Sequence, residues 1–240
     1  MFRFYFVIAT SVISFIYFYT RFVIIKRHPN RYTDTQRYAL ARFACRNVER
    51  KGRITTKIYG LENLPKNGGY IMYPNHQGRY DAVGIFLAHE KPCSFVVDAK
   101  RSQVLLLNQI SDLVGAKRLD KHDMRGQIEI INAVADEVAE GKKYIIFPEG
   151  GYGATVTDNS VRDFMPGCFK AALKSKCPIV PVVLVDSYKV FGSNSLKRVT
   201  CQIHFLESIP YEFYKDMKTK DISTMVYNLI TDKLAKMQAI

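Results

Sequence analysis

The chain has 240 residues, 48% of them hydrophobic and 24% charged, with a formal net charge of +13. That length holds one domain with its own core, and that balance of apolar and charged side chains excludes wholesale disorder. Of the 35 Lys/Arg and 22 Asp/Glu, 12 and 2 fall within the first sixty residues, so the basic excess is almost wholly N-terminal; a nucleic-acid-binding domain more often spreads its basic face over the folded body.

The N-terminal segment comes first. Residues Phe4 to Thr20 carry no charge, and the apolar character resumes after Arg21 through Ile25. An apolar helix of about 20 residues covers roughly 30 Å of hydrocarbon, and aromatic side chains such as Phe2, Tyr5, Tyr19 and Phe22 suit the two interfaces. Residues 1–25 are therefore read as a membrane anchor, spanning or embedded in one leaflet. A cleaved signal peptide is disfavoured, because no small-residue cleavage site precedes Lys26-Arg27-His28. Only Arg3 precedes the apolar run, and eleven Lys/Arg follow it between Arg21 and Lys57. That asymmetry predicts a membrane-associated protein with its folded part in the cytoplasm.

Residues 26–53 read as a basic linker and amphipathic surface helix. From about Asp34 to Lys51, Arg42, Arg46 and Arg50 recur on one stripe and Leu40, Ala44 and Val48 on another, about 200° around the axis at 100° per residue. Such a helix suits an anionic lipid surface, and equally suits packing on the domain.

Residues 54–240 form the remaining domain. Short apolar runs at Gly69–Tyr73, Cys93–Val97, Tyr144–Phe147, Ile179–Val185 and Cys201–Phe205 are predicted strands. Asp81–Ala88, Gln103–Val114, Met124–Glu140, Gly167–Ser175 and Asp221–Met237 are predicted helices. In Met124–Glu140 the apolar face is Ile128, Ile131, Val134, Ala135 and Val138, and Gly141 stops it. The alternation predicts an α/β fold with a mostly parallel central sheet flanked by helices. In such folds, chemistry gathers in the loops leaving the C-terminal ends of strands.

Three of those loops carry reactive residues. Pro74 to Asp81 holds His76, which takes a proton at neutral pH, and Asp81, a carboxylate placed to accept from its other ring nitrogen; on residues alone, a plain structural pair remains open. Phe147 to Gly153 delivers Glu149 into the glycine-rich turn Gly150-Gly151, whose backbone can approach a ligand closely or simply turn the chain. Lys100-Arg101, Lys117-Arg118 and Lys121 form a basic set able to clamp a phosphate, or to serve as a solvated rim. The five cysteines show no Cys-x-x-Cys and are read as free thiols, and with the five histidines they make no zinc pattern.

Together these blocks resemble the 1-acyl-sn-glycerol-3-phosphate acyltransferase (lysophosphatidate acyltransferase) family. The residues that carry the likeness are Asn75, His76 and Asp81 of an Asn-His-x-x-x-x-Asp hallmark and Phe147 to Gly150 of a Phe-Pro-Glu-Gly hallmark. Val114 to Lys121 and Val180-Pro181-Val182 match the family's further blocks, so the likeness runs from about Ile54 to Val185. The resemblance implies transfer of a fatty acyl group from an acyl thioester to the sn-2 hydroxyl of 1-acyl-glycerol-3-phosphate, making phosphatidate. His76 acts as general base and Asp81 orients it, with no acyl-enzyme, no metal and no cofactor. The donor is acyl-coenzyme A or acyl-carrier protein; the partners are a lysophospholipid acceptor and an anionic membrane surface, not nucleic acid. Glu149, Gly150, Gly151, Lys100, Arg118 and Lys121 are the expected substrate-binding residues, and Arg162 is a further candidate cation. Three positions depart from the family: Gly151-Tyr152 stand where Thr-Arg is usual, and Lys121 stands for an arginine. Acceptor identity is therefore open to another lysophospholipid or an amino-acid lipid, and a hydrolase or a catalytically silent membrane-binding homologue are the remaining alternatives.

Overall fold

Capping and burial set the first long element of the body. Thr33 and Gln36 close a reciprocal capping box at the start of a helix over Asp34–Lys51, with Asp34 in its first turn and Arg50 and Lys51 in its last, the order the helix dipole favours. The computed structural model describes residues 2–153, 156–192 and 195–238. In chain order the helices are α1 (Phe2–Thr10), α2 (Val12–Arg27), α3 (Asp34–Lys51), α4 (Asp81–Ala88), α5 (Leu107–Val114), α6 (Met124–Ala139), α7 (Lys170–Ser175), α8 (Tyr188–Gly192), α9 (Tyr211–Tyr214) and α10 (Thr219–Gln238). The strands are β1 (Ile54–Tyr59), β2 (Tyr70–Pro74), β3 (Ser94–Asp98), β4 (Lys117–Leu119), β5 (Lys143–Ile145), β6 (Ile179–Val185) and β7 (Val199–Phe205).

The strands form one sheet in the order β1-β7-β6-β2-β5-β3-β4. Every ladder is parallel except β6–β7. β2 and β6 are buried along their whole length, as strands covered on both faces are. One apolar layer joins α2, α3, α4 and α5 to one face of the sheet through Phe18, Phe22, Tyr38, Ala41, Ile85 and Phe86; the other joins α6, α7 and α10 to the opposite face through Val134, Val138, Ala171, Ile222 and Val226.

Several elements differ from the expectation. The N-terminal apolar run is two helices, α1 and α2, bent by 69° at a break of one residue, Ser11; among the described residues no single helix is long and apolar enough to cross a membrane, and the bent pair matches a span in length and composition alone. Ser11 is buried and its hydroxyl accepts from Asn47 of α3 at 2.8 Å, so tertiary packing holds the break. α1 and α2 leave large apolar side chains in the open, Ile13 being 84% exposed. α3 packs on the domain through Leu40, Ala44 and Val48; Arg46 and Arg50 stay exposed, but Arg42 leaves the cationic stripe and donates to the Leu87 carbonyl at 2.9 Å. Ile128 is exposed rather than part of the buried face of α6, because burial on that helix begins nearer its C-terminal half. α5 starts four residues later than expected, since Leu106 takes φ +73°, outside the helical region. The basic stretch at Lys117 to Leu119 is an edge strand, paired with β3.

Candidate active site

The C-terminal ends of β2, β5, β3, β4 and β6 lead into the loops that hold the reactive residues, and because these strands are parallel the loops leave the same end of the sheet. β2 runs out at Pro74, and the buried side chain of Asn75 then copies a strand pairing: its Nδ2 donates to the Leu184 carbonyl at 3.0 Å and its Oδ1 accepts from Leu184 N–H at 2.7 Å. This fastens the loop to β6. His76 follows, and α4 opens with Asp81 in its first turn.

The structure brings His76 and Asp81 together: His76 Nδ1 lies 2.7 Å from Asp81 Oδ2, with the imidazole 13% exposed and the carboxylate fully buried. Three further donors surround that carboxylate, namely the backbone N–H groups of Gln77 at 2.6 Å and Gly78 at 2.9 Å and the hydroxyl of Ser187. A buried anion is tolerated only when its lone pairs are filled in this way. With Nδ1 bound to Asp81, the tautomer is the one that leaves Nε2 to accept a proton. No described residue hydrogen-bonds Nε2. The imidazole is further fixed by Phe147, stacked at 4.0 Å between centroids, and Tyr152, edge-on at 4.8 Å. β5 stops at Ile145, two residues short of the expected end, and that frees Phe147 to reach the ring.

Glu149 lies between two groups. Its Oε1 accepts from the backbone N–H of His76 at 2.7 Å and its Oε2 from Arg162 Nε at 3.0 Å. Burial pushes its pKa above the usual carboxylate range, and the His76 N–H and the Arg162 guanidinium pull back against that. The turn beyond needs glycine: Gly150 has φ +68° and Gly151 φ +135°, and a Cβ on Gly150 would meet the Met165 sulfur at 2.6 Å. Gly150 N–H donates to the Phe147 carbonyl, so that donor is already committed to the turn.

The basic residues separate into two groups. A Cβ on Gly151 would sit 3.2 Å from Lys121 Nζ and 4.0 Å from Arg101 Nη1, so those two cations converge on the glycine turn. Arg101 also lies over the Tyr152 ring at 4.5 Å. Laid end to end with the Tyr152–His76 separation, that distance puts the guanidinium within about 9 Å of the imidazole. Asp98 organises this corner, accepting from the Arg101 backbone N–H at 2.9 Å and standing 3.9 Å from Lys121 Nζ. Arg118 does not join it: its guanidinium is tied to Asp112 at 2.6 Å, to Asn108 at 2.9 Å and to Ser102 at 3.2 Å. Lys100 is exposed and heads the short turn that Arg101 begins. Sequence reasoning thus chose the neighbour of the converging arginine. Arg101 stands in the basic set read from the sequence but not among the expected substrate-binding residues, and Tyr152, Phe147, Gln77 and Ser187 carry no role there; for the aromatic pair, the available signal is their placement within the glycine-rich block.

All five cysteines are unbridged, and burial raises each thiol pKa, to about 12 for Cys45 and Cys93 and to about 11 for Cys168, Cys177 and Cys201. Thiols so protonated are poor nucleophiles.

The profile of the Acyltransferase family matches residues 55–185. Among curated proteins, the chain is 34% identical over 137 residues to a 1-acyl-sn-glycerol-3-phosphate acyltransferase of Saccharomyces cerevisiae, covering 56% of this chain and 44% of that one. It is 25% identical over 181 residues to a protein of the same name from Borreliella burgdorferi, covering 74% and 70%. The chain spans 40% to 44% of the length of the first curated relatives it matches. Among solved structures, that of the 1-acyl-sn-glycerophosphate acyltransferase PlsC from Thermotoga maritima superposes with a TM-score of 0.76 over 99% of this chain and 94% of that one; at 15% identity the likeness is one of fold.

Proposed function

Given that the chain belongs to the Acyltransferase family, we propose that it moves a fatty acyl group from an acyl thioester to the sn-2 hydroxyl of 1-acyl-glycerol-3-phosphate, yielding phosphatidate. The observation that carries the reading is the His76–Asp81 pair, with Nδ1 engaged at 2.7 Å and Nε2 left to act. His76 Nε2 takes the proton of the acceptor hydroxyl as that oxygen attacks the thioester carbonyl. The tetrahedral intermediate collapses, the C–S bond breaks, and the thiol leaves with the proton that His76 returns. Base assistance of this kind contributes about 10²–10⁴-fold. Asp81 orients the imidazole and stabilises its charged form. The acyl group passes directly between substrates, a route supported by the protonated, buried thiols.

The acceptor phosphate is assigned to Arg101 and Lys121, which converge within reach of a hydroxyl held at His76. Arg162 is paired with Glu149, the residue that leads into the same turn. The donor is acyl-coenzyme A or acyl-carrier protein, both anionic. The bent pair α1–α2, with exposed Phe2, Tyr5, Ile8, Ile13 and Ile16, is proposed to seat the domain on a membrane, where acceptor and product reside. A second acceptor class, another lysophospholipid or an amino-acid lipid, is favoured only by Gly151-Tyr152.

The test is transfer by detergent-purified protein to a panel of lysophospholipids, from both thioester types, wild type beside His76→Ala. Transfer to lysophosphatidate that falls at least about a hundredfold in the variant is the expected result. Preference for another acceptor moves the reading to the second class; equal activity of the variant sinks the mechanism.

A further inference from the structure

The first charged residue of the chain lies far from the catalytic loop in sequence and close to its support in space. Arg3, on α1, is 1% exposed. Its guanidinium donates to three backbone carbonyls, those of Lys189 (3.4 Å), Val190 (2.8 Å) and Lys197. Two of the three belong to α8. Beside it, Phe4 packs edge-on against Phe191 of α8 at 5.7 Å and carries the Arg79 guanidinium over its ring at 5.3 Å. Phe191 in turn meets Tyr80 at 6.2 Å. α1 therefore touches both α8 and the loop between His76 and Asp81.

α8 begins one residue after Ser187, whose hydroxyl donates to Asp81 Oδ1. Ser187 is 4% exposed, and Gln77, the residue after His76, accepts from its N–H at 3.0 Å, with the same Gln77 Oε1 lying 3.1 Å from the hydroxyl oxygen whose one proton goes to Asp81. The approach to Ser187 is also fixed: Asp186 sits at φ +62°, and Asn159 both accepts from its N–H at 2.8 Å and donates to its carboxylate at 3.1 Å. A non-glycine residue holds that left-handed conformation only where its surroundings enforce it.

We propose that Ser187 is a positioning residue for the His76–Asp81 pair, and that Arg3 holds it in place through α8. Ser187 supplies the one side-chain donor to Asp81 Oδ1 among the described residues, while His76, Gln77 N–H and Gly78 N–H all engage Oδ2. Without that donor Oδ1 is left a buried acceptor with no partner among the described residues, and the three bonds to Oδ2 alone set the carboxylate plane, so the direction of the imidazole is less tightly fixed. Arg3 ties α8, which begins directly after Ser187, to α1, so the N-terminal helix contributes to the geometry of the proton transfer as well as to the apolar surface. The proposal rests on the acyl-transfer reading for its kinetic arm alone.

The experiment compares Ser187→Ala, Ser187→Thr, Arg3→Gln and the Arg3→Gln/Ser187→Ala double variant of the full chain in detergent. The expected result is a loss of about tenfold to a hundredfold in kcat for Ser187→Ala and Arg3→Gln, as misplacement by a fraction of an ångström to an ångström produces. Acceptor KM changes less than about threefold, Ser187→Thr recovers most of kcat, and the double variant is no worse than the weaker single one. A second readout needs no turnover: the His76 Nδ1 proton resonance, identified by its absence in His76→Gln, is expected sharp in wild type and broadened by exchange in Ser187→Ala and Arg3→Gln. Unchanged kcat with an unchanged resonance overturns the proposal, and losses that multiply in the double variant overturn the link between Arg3 and Ser187. If wild type transfers no acyl group, the functional reading falls and the resonance alone decides the positioning claim. Arg3→Lys replaces Arg3→Gln should the latter not fold.

Discussion

Asp81 is fully buried and accepts four hydrogen bonds, whereas Lys121 is 45% exposed at the side chain and shares Asp98 with the backbone of Arg101. These are the two ends of one site, separated by the run of ring contacts from His76 through Tyr152 to Arg101. At the first end both oxygens of Asp81 and Nδ1 of His76 are committed, and the imidazole Nε2 is left over for chemistry. At the second, charges stand partly in solvent, where single ion pairs are weak and side chains can adapt. Stiffness is concentrated where a proton moves, because a general base works only within hydrogen-bond reach of it. Adaptability lies where a headgroup is expected, because a phosphate needs positive charge more than a fixed shape.

The comparison breaks first at the stiff end. His76→Ala is expected to lower kcat by about 10²–10⁴-fold with little change in acceptor KM, measured by steady-state transfer. A loss confined to KM would make His76 a binding group and abolish the contrast. At the adaptable end, Arg101→Ala and Lys121→Ala are each expected to raise KM for a phosphate-bearing acceptor about tenfold, roughly 1.4 kcal/mol, while kcat falls less than about threefold. Equal effects on a neutral-headed acceptor would show that the two cations hold the loop rather than the phosphate.

Glu149 joins the two ends, and its expected signature is in stability. Burial raises its folded-state pKa above the ordinary 4.5, so the folded protein binds that proton more tightly than the unfolded chain. Its contribution is fully present below about 4.5 and is lost as pH rises through the raised folded value. Glu149→Gln, which cannot ionise, is expected to gain in Tm relative to wild type between pH 4 and pH 7, by a few degrees at most. Parallel Tm curves would show that Arg162 and the His76 N–H fully offset the burial. The smallest effect is expected outside the site: Arg118→Ala removes the Asp112 pair, costs at most about 1 kcal/mol in denaturant unfolding, and leaves acceptor KM where it was.

How much of this was legible in the sequence follows the range of the interactions. The helix over Asp81–Ala88 and the strand over Ile179–Val185 were read with their observed bounds, since each is a short apolar run ended by local breakers. His76 and Asp81 were paired from a separation of five residues, which a single turn into α4 closes. The α/β order likewise follows from alternating strands and helices. Charge alone did not distinguish Arg118 from Arg101. One faces Asp112 on its neighbouring helix and the other faces the glycine turn, and that difference is made by how β3 and β4 set their loops side by side.

The sequence by itself determined the fold class, the strand-to-loop positions of the reactive residues and the His–Asp spacing, because those rest on hydrophobic periodicity and on contacts within a few residues. Only the tertiary structure decided that the N-terminal run bends at Ser11, that Arg101 rather than Lys100 meets Lys121, and that Arg3 and Ser187 stand behind Asp81. The physical reason is the same in each case. A buried polar group must find a partner, and the partners of Ser11, Arg3 and Ser187 lie 36 to 194 residues away in the chain, where no local pattern records them.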